Sequence, residues 1–411
     1  MLQDNTRPQD TACSDAPDAF RPNIVSCIKS FGPGGVERVA LRLTAGWERA
    51  DVPVQLLVAS PDGPVAPQPG SACHRILPPC FMIGRRWPLL RLTASVLAEC
   101  RNERRGTILF CPGNSYTVVA VMVKIALGRR CPPIVAKISN DLRRDDMPRF
   151  WRRLYRQWLR IQGRAINHFA VLSTPMADEV AELMGVPRER IHVVPNPVLS
   201  DADLDTYEAP RVLRAGRKFV AVGRLEPQKN YRLMLEAFAR GSEDADRLTI
   251  YGDGRERLAL ERIVGALDLA QKVNLAGFSS DMRAELRRYN ILLLTSRFEG
   301  QPGAVVEALC MGLGIIATRC CSGMPELLDD GALGTLIDRD DLDGLADAIA
   351  SAKPGKQDIG RARSKARNFT IEAAVPAYAH LFAKVLAANP YASRATAHSS
   401  FPRSWKRVKQ I

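Results

Sequence analysis

The chain has 411 residues, too many for one ordinary hydrophobic core, so two domains are expected. Its hydrophobic fraction of 46% is that of a globular protein, and no uninterrupted apolar run reaches the roughly 18 residues a membrane span needs. A formal charge of +14 favours an anionic partner: a membrane surface, nucleic acid or a phosphorylated substrate.

Residues 1–20 are polar, without the apolar stretch of a signal peptide, and are expected to be a disordered N-terminal extension. The ten cysteines contain no C-x-x-C, and Cys320 and Cys321 are adjacent. They are expected to be reduced thiols, several of them buried as small apolar residues.

Asn23 to Lys29 is a strand candidate running into Phe31-Gly32-Pro33-Gly34-Gly35-Val36-Glu37-Arg38, with an amphipathic helix from Val36 to Trp47. Strand, Gly-rich loop and helix start form an anion site, although a tight turn alone would also use Gly34 and Gly35. The spacing is not G-x-G-x-x-G, so no dinucleotide is implied. Strands are expected at Val52–Ala59, Thr107–Cys111 and Ile134–Ile138. Helices are expected from Trp87 to Cys100 and from Tyr116 to Leu127. Such alternation predicts a parallel sheet with right-handed crossovers.

Ser139 to Arg164 is rich in arginine, with Phe150, Trp151, Leu154, Tyr155, Trp158 and Ile161 at helical spacing. This predicts a basic amphipathic helix suited to an anionic membrane surface over residues 143–164. The same pattern also fits a helix packing its aromatics inward. Both readings hold if Leu154 enters the core while Trp151 and Trp158 meet the interface. No nucleic-acid recognition module accompanies the arginines, so nucleic acid is not expected as a partner.

A strand from His168 to Ser173 and a helix from Thr174 precede His192-Val193-Val194-Pro195-Asn196-Pro197-Val198, an extended exit. Residues 200–216 are expected to be the interdomain linker. Lys218 to Val222 then opens a second domain and leads into Gly223-Arg224-Leu225-Glu226-Pro227-Gln228-Lys229-Asn230. Arg offers a planar donor fork and Lys a point charge, and both suit phosphate oxygens. A strand from Arg247 to Tyr251 ends at Gly252-Asp253-Gly254, whose close backbone could face a nucleotide base.

Ile291 to Leu328 predicts strand, loop, helix, strand, loop and helix start. Ile291 to Leu294 is the short apolar run of a strand buried on both faces. Ser296 to Gly303 is polar and broken by Pro302. Ala304 to Met311 is helical, and Ile315 to Ala317 is a strand. Glu299 lies in the loop past a strand end and Glu307 in the first turns of the next helix. Both can look into the crevice where open α/β sheets bind ligands. Backbone N–H groups near Gly303, Ala304 and Val305 would suit an anion there, and the carboxylates would suit hydroxyls. A solvated Glu pair is the plainer reading of an isolated E-x7-E. The two flanking strands and Gly323-Met324-Pro325-Glu326 favour the site.

Residues 299–326 resemble the signature of the family 4 retaining glycosyltransferases: strand, E-G-x-P, helix bearing a second Glu, strand, G-x-P-E. The resemblance covers about residues 23–385. It implies the GT-B fold, an α/β class with two Rossmann-like doubly wound domains facing across a cleft. The N-terminal acceptor domain would span 21–205 and the nucleotide-sugar donor domain 206–370. A helix over 371–388 would cross back to the first domain, ahead of a basic tail over 389–411.

The resemblance further implies a retaining, metal-independent glycosyltransferase using a nucleotide-diphosphate sugar, UDP- ahead of GDP-. Its acceptor would be a glycan or lipid-linked hydroxyl in cell-surface polysaccharide or lipopolysaccharide synthesis, at the cytoplasmic face of a membrane. Arg224 and Lys229 would hold the diphosphate, Glu299 the transferred sugar and Glu307 the ribose. Gly34, Gly35, Gly223, Gly252, Gly300, Gln301, Pro302, Gly303, Ala304 and Val305 would complete the donor site. Many members carry a His after the strand at 134–138. Here Lys137-Ile138-Ser139-Asn140-Asp141 lacks it, and Asn140 or Asp141 would stand in its place.

Other chemistries find less support. H-E-x-x-H, G-x-S-x-G and P-loop motifs are absent. The Asp-x-Asp strings at 201/203, 338/340 and 341/343 read as solvated surface, and no cofactor or metal is expected. Glu299 and Glu307 could be a hydrolase pair, but the Arg224–Lys229 loop argues for a phosphorylated donor. An epimerase of the same shape, or a non-catalytic nucleotide-sugar-binding protein, remains the alternative.

Overall fold

In the computed structural model, the described residues are 22–32, 34–63, 74–77, 87–101, 106–144, 147–205, 216–354 and 358–388. The N-terminal extension, the basic tail and residues 206–215 of the expected linker lie outside them.

The first sheet contains β1 (Asn23–Ile28), β2 (Val54–Val58), β3 (His74–Ile76), β4 (Thr107–Cys111), β5 (Ile134–Lys137), β6 (His168–Val171) and β7 (Ile191–Val193). All pair parallel, in the order β3-β2-β1-β4-β5-β6-β7. The second contains β8 (Lys218–Val222), β9 (Arg247–Tyr251), β10 (Val273–Gly277), β11 (Ile291–Leu294), β12 (Gly314–Thr318) and β13 (Thr335–Ile337). It too is parallel, in the order β10-β9-β8-β11-β12-β13. Strand order reverses between β1 and β4 in one sheet and between β8 and β11 in the other. Ligand crevices of open α/β sheets form at such reversals, outside the strands' carboxyl ends.

The strands are short, apolar and buried on both faces, as β4 and β11 show along their whole lengths. Helix ends follow local chemistry. Ser173 caps the helix Thr174–Met184 by accepting the Met176 N–H, and Gly185 ends it in the left-handed conformation. Helices Pro88–Arg101, Thr117–Leu127, Arg149–Ala165 and Thr174–Met184 pack into one core layer of the first sheet. On another layer the helix Gly35–Arg49 meets the helix Ile371–Ala387, where Trp47 and Phe110 pack edge-on against Tyr378. The last helix, from the far end of the chain, thus completes the first core.

The final helix is Ile371–Ala387, as expected, capped by the Thr370 hydroxyl. Three details differ from the sequence reading. A further helix, Ile359–Arg367, precedes it where none was expected. Val198, Leu199 and Leu204 pack into the second sheet's core, so the chain changes body ahead of residue 205. In the helix Arg149–Ala165 the buried residues are Leu159, Gln162 and Gly163, whereas Leu154 faces outward. Glycine at 163 decides this, because the backbone there lies against the Met184 carbonyl. Among the described residues no helix is long and apolar enough to cross a membrane. Seven cysteines in the described part are buried.

Candidate active site

The loops after β8 and β11 meet at the second sheet's reversal. Thr295 at the end of β11 donates its hydroxyl to the Lys229 carbonyl at 2.9 Å. The Arg297 N–H donates to the Gln228 carbonyl at 2.8 Å, and Gln228 Nε2 donates to the Phe298 carbonyl at 2.7 Å. Asn230 turns the chain in the left-handed region (φ 52°), an Asn-tolerant conformation, and starts the next helix. This lacing sets Lys229 Nζ 2.5 Å from Glu299 Oε1, with the Ser296 hydroxyl donating to the same oxygen at 2.8 Å. The pair is largely buried. Arg224, in the same β8 loop, is exposed.

Glycine is dictated at 252. Its φ of 137° and a Cβ that would lie 1.9 Å from the Gly223 carbonyl oxygen admit no side chain. This brings the Gly223 and Gly252 backbones together behind Arg224.

Helix Gly303–Met311 begins beside the Glu299 loop, with Pro302 as its N-cap. The Val305 N–H already bonds to the Pro302 carbonyl at 3.1 Å, so it is not a free donor as the sequence suggested. A tight first turn uses it, which leaves the Gly303 and Ala304 end as the anion-facing portion. The Val305 side chain lies in the core.

Glu307 is one helical turn further in. Burial pushes its carboxyl above the ordinary range, opposed by Arg42 and Arg38 of the helix Gly35–Arg49 and by Arg283. Arg42 also donates to the Pro197 carbonyl at 3.2 Å and to the Val198 carbonyl, where the chain passes between the bodies. Asp203 is buried and pairs with Arg283, so it is not the solvated residue its Asp-x-Asp spacing suggested. Asp340 likewise has a structural task, accepting from Asn230 Nδ2 at 3.0 Å.

The first body faces this site with the carboxyl ends of β1, β4 and β5. Gly34 caps the helix that begins at Gly35. Nearby, the Tyr116 hydroxyl accepts the Lys29 N–H and donates to Glu37 Oε1, both at 3.0 Å. Across from it, Gly300 abuts β5's loop: a Cβ at 300 would sit 1.6 Å from the Ser139 carbonyl oxygen. Gln301 Oε1 accepts the Asn196 N–H at 3.0 Å, and Glu326 Oε2 accepts the Thr174 N–H at 2.9 Å. Gly300 and Gln301 are therefore engaged in joining the two bodies. Asn140 is exposed beside Ser139, whereas Asp141 accepts the Arg143 N–H within its own turn. Among the described residues no group of three or more His, Cys, Asp or Glu side chains gathers as a metal site.

Sequence reasoning passed over Lys137, at the end of β5. It is buried, its Nζ lies 3.2 Å from the Ser139 hydroxyl, and burial alone pulls its ammonium down to about 7. A lysine closing an otherwise apolar strand was the available signal. Arg38 and Arg42, one helical turn apart after the Gly-rich loop, gave a weaker one.

Comparison with known proteins agrees with this architecture. Residues 33–201 match the family model described as Glycosyltransferase Family 4, and residues 216–352 match Glycosyl transferases group 1. An N-acetylgalactosamine-N,N'-diacetylbacillosaminyl-diphospho-undecaprenol 4-alpha-N-acetylgalactosaminyltransferase of Campylobacter jejuni is 30% identical over 157 residues, covering 37% of this chain and 43% of that protein. The lipopolysaccharide core biosynthesis glycosyltransferase LpsE of Rhizobium meliloti is 30% identical over 188 residues, covering 44% and 52%. The chain thus spans about half or less of the length of these relatives. Among solved structures, Anabaena HepE in complex with UDP and glucose superposes with a TM-score of 0.70 at 17% identity, over 88% of this chain and all of that one. The lipopolysaccharide outer core galactosyltransferase WaaB gives 0.67 at 18% identity, over 88% and 99%. With two parallel sheets meeting at their strand-order reversals and both halves matched, the chain has the GT-B fold and belongs to the family 4, group 1 glycosyltransferases.

Proposed function

We propose that this chain transfers a sugar from a nucleotide-diphosphate sugar, UDP- in preference to GDP-, to a hydroxyl of a glycan or lipid-linked acceptor. The product would enter cell-surface polysaccharide or lipopolysaccharide, made on the cytoplasmic side of a membrane. The observation that carries this reading is the Lys229–Glu299 pair at the second sheet's reversal, a phosphate-binding cation beside a hydroxyl-binding carboxylate.

In this reading Arg224 and Lys229 oppose the charge that develops on the departing diphosphate, helped by the start of the helix Gly303–Met311. Glu299 accepts hydroxyls of the transferred sugar and Glu307 those of the ribose. Asn140 stands at the first body's wall in the place of the family histidine. The acceptor oxygen bonds to the anomeric carbon on the face from which the phosphate oxygen leaves, and that oxygen takes the acceptor's proton. Configuration is thereby retained, and the two side-chain cations serve in place of a metal. The relatives' names support a glycan or diphospholipid acceptor, and UDP in the HepE complex supports the uridine donor.

The test is thermal stabilisation by UDP, GDP and ADP and their sugars, with and without chelator, followed by transfer assays and the anomeric configuration of the product. A rise with a uridine form, indifferent to chelator and lost in Glu307→Ala, is expected. No rise with any nucleotide, or an inverted product, overturns the respective part of the reading.

A further inference from the structure

The described surface distributes its exposed large apolar residues unevenly. Trp87, Leu90, Met122, Ile125, Phe150, Trp151, Leu154 and Ile161 all lie on or at the start of three consecutive helices, Pro88–Arg101, Thr117–Leu127 and Arg149–Ala165. The exposures are large: 61% for Trp87, 72% for Ile125 and 60% for Trp151. These helices belong to one core layer, and right-handed crossovers between parallel strands place them side by side on one face of the first sheet. Together they make a broad patch rather than scattered single residues, the kind of surface that marks an interaction site.

The charge on this face has one sign. Arg149, Arg153, Arg156, Arg160 and Arg164 line the helix Arg149–Ala165, and Lys124, Arg129 and Arg130 close its neighbour. The sole acid on the three helices is Glu99, and it is already paired with Arg75 at 2.8 Å. Acidic residues border the patch in the chain: Asp141, Asp145 and Asp146 precede the helix Arg149–Ala165, and Glu182 on the next helix lies 3.7 Å from Arg143. Around the helix Arg149–Ala165, Phe150, Trp151, Leu154 and Ile161 form an outward apolar stripe. The stripe is flanked on one side by the arginines and on the other by the buried Leu159–Gly163 face.

We propose that this three-helix face docks on an anionic lipid bilayer, with Trp87, Phe150, Trp151 and Ile125 entering the headgroup boundary and the arginines meeting lipid phosphates. Apolar residues with a basic flank and almost no acid are complementary to such a surface. The orientation is also useful. Helices between parallel strands run back from the strands' carboxyl ends, so Trp87, Phe150 and Trp151, at helix starts, lie at the cleft end of the layer. A bilayer there would present a lipid-linked acceptor beside the transfer site. The inference goes beyond the transfer reaction and stands on the surface alone.

The experiment is co-sedimentation of the full chain with phosphatidylcholine vesicles, with and without phosphatidylglycerol. Wild type should bind the anionic vesicles, less as salt rises, and hardly bind the neutral ones. Phe150→Ser/Trp151→Ser should lower the bound fraction by about tenfold or more, since two exposed aromatics lose their burial. Arg153→Glu/Arg156→Glu should lower it as well, and Ile125→Ser should do so from the neighbouring helix. All these positions are exposed, so thermal midpoints should stay unchanged. Three results overturn the proposal: no binding to anionic vesicles, equal binding by Phe150→Ser/Trp151→Ser, or a self-associated chain that the same substitutions disperse. Nucleotide binding is scored separately, so failure here leaves the transfer reading untouched.

Discussion

Lys229 Nζ and Glu299 Oε1 stand 2.5 Å apart, although the two residues leave different strands and are joined by nothing closer in the chain. Lys229 is not placed by its own loop alone. Thr295 holds the Lys229 backbone and Ser296 holds the Glu299 carboxylate, so two adjacent residues at the end of β11 position both partners. Preorganisation of this kind lets a site meet developing charge without rearranging at the moment of reaction.

The two members of the pair should fail differently. Lys229→Met removes the cation proposed for the diphosphate, and the loss of one such donor costs roughly 3 kcal/mol, or about a hundredfold in rate. It should also weaken stabilisation by UDP. Glu299→Gln should reduce transfer while leaving UDP binding near wild type, because its proposed contact is to the sugar. Calorimetric titration with UDP beside turnover measurement separates them. Equal loss of UDP affinity in both variants would refute the division of roles.

Gly300→Ala addresses the joint between the bodies. The added Cβ would lie 1.6 Å from the Ser139 carbonyl oxygen, a backbone atom that cannot swing away. The bodies should be held apart, with a larger radius of gyration in solution scattering and a severe loss of transfer. Stability of each body should hardly change. Gly265→Ala is the control, since a Cβ there has nothing within 4 Å. If Gly300→Ala turns over like wild type, the approach of Gly300 to Ser139 is not needed for activity.

The strands and the Glu299–Glu307 loop were legible because a parallel sheet buried on both faces writes short apolar runs, and loops at strand ends carry the polar residues. Partnerships across the cleft were not legible. Nothing local in Gln301 points to Asn196, and nothing in Arg42 points to the Pro197 carbonyl. The Val305 N–H was misjudged because whether a first helical turn tightens is set by geometry, not residue type. Leu154 and Leu159 are both leucines on one helix, and only the Met184 carbonyl beside Gly163 decides which faces inward. The start of the helix Ile371–Ala387 was legible, since a threonine at 370 caps it.

Lys137 offers a test in which stability and function should move in opposite directions. Its ammonium is buried against a hydroxyl, and burial alone lowers it from 10.5 to about 7. In the unfolded chain the group keeps its ordinary value. Between about pH 7 and about pH 10 the unfolded state therefore holds a proton that the folded state lacks, and stability rises with pH across that window. Below it both states are protonated, and the penalty of burying the charge is felt in full. Lys137→Met should thus stabilise the protein most at and below neutral pH, with a gain that shrinks towards about pH 10. Urea denaturation at both ends of the window reads this directly. A gain independent of pH would show that the lysine is not held as a buried amine. Transfer should nonetheless fall in the variant, because Ser139, the partner of Lys137, forms the wall against which Gly300 packs. A variant both more stable and fully active would mean that the lysine serves neither the fold nor the site.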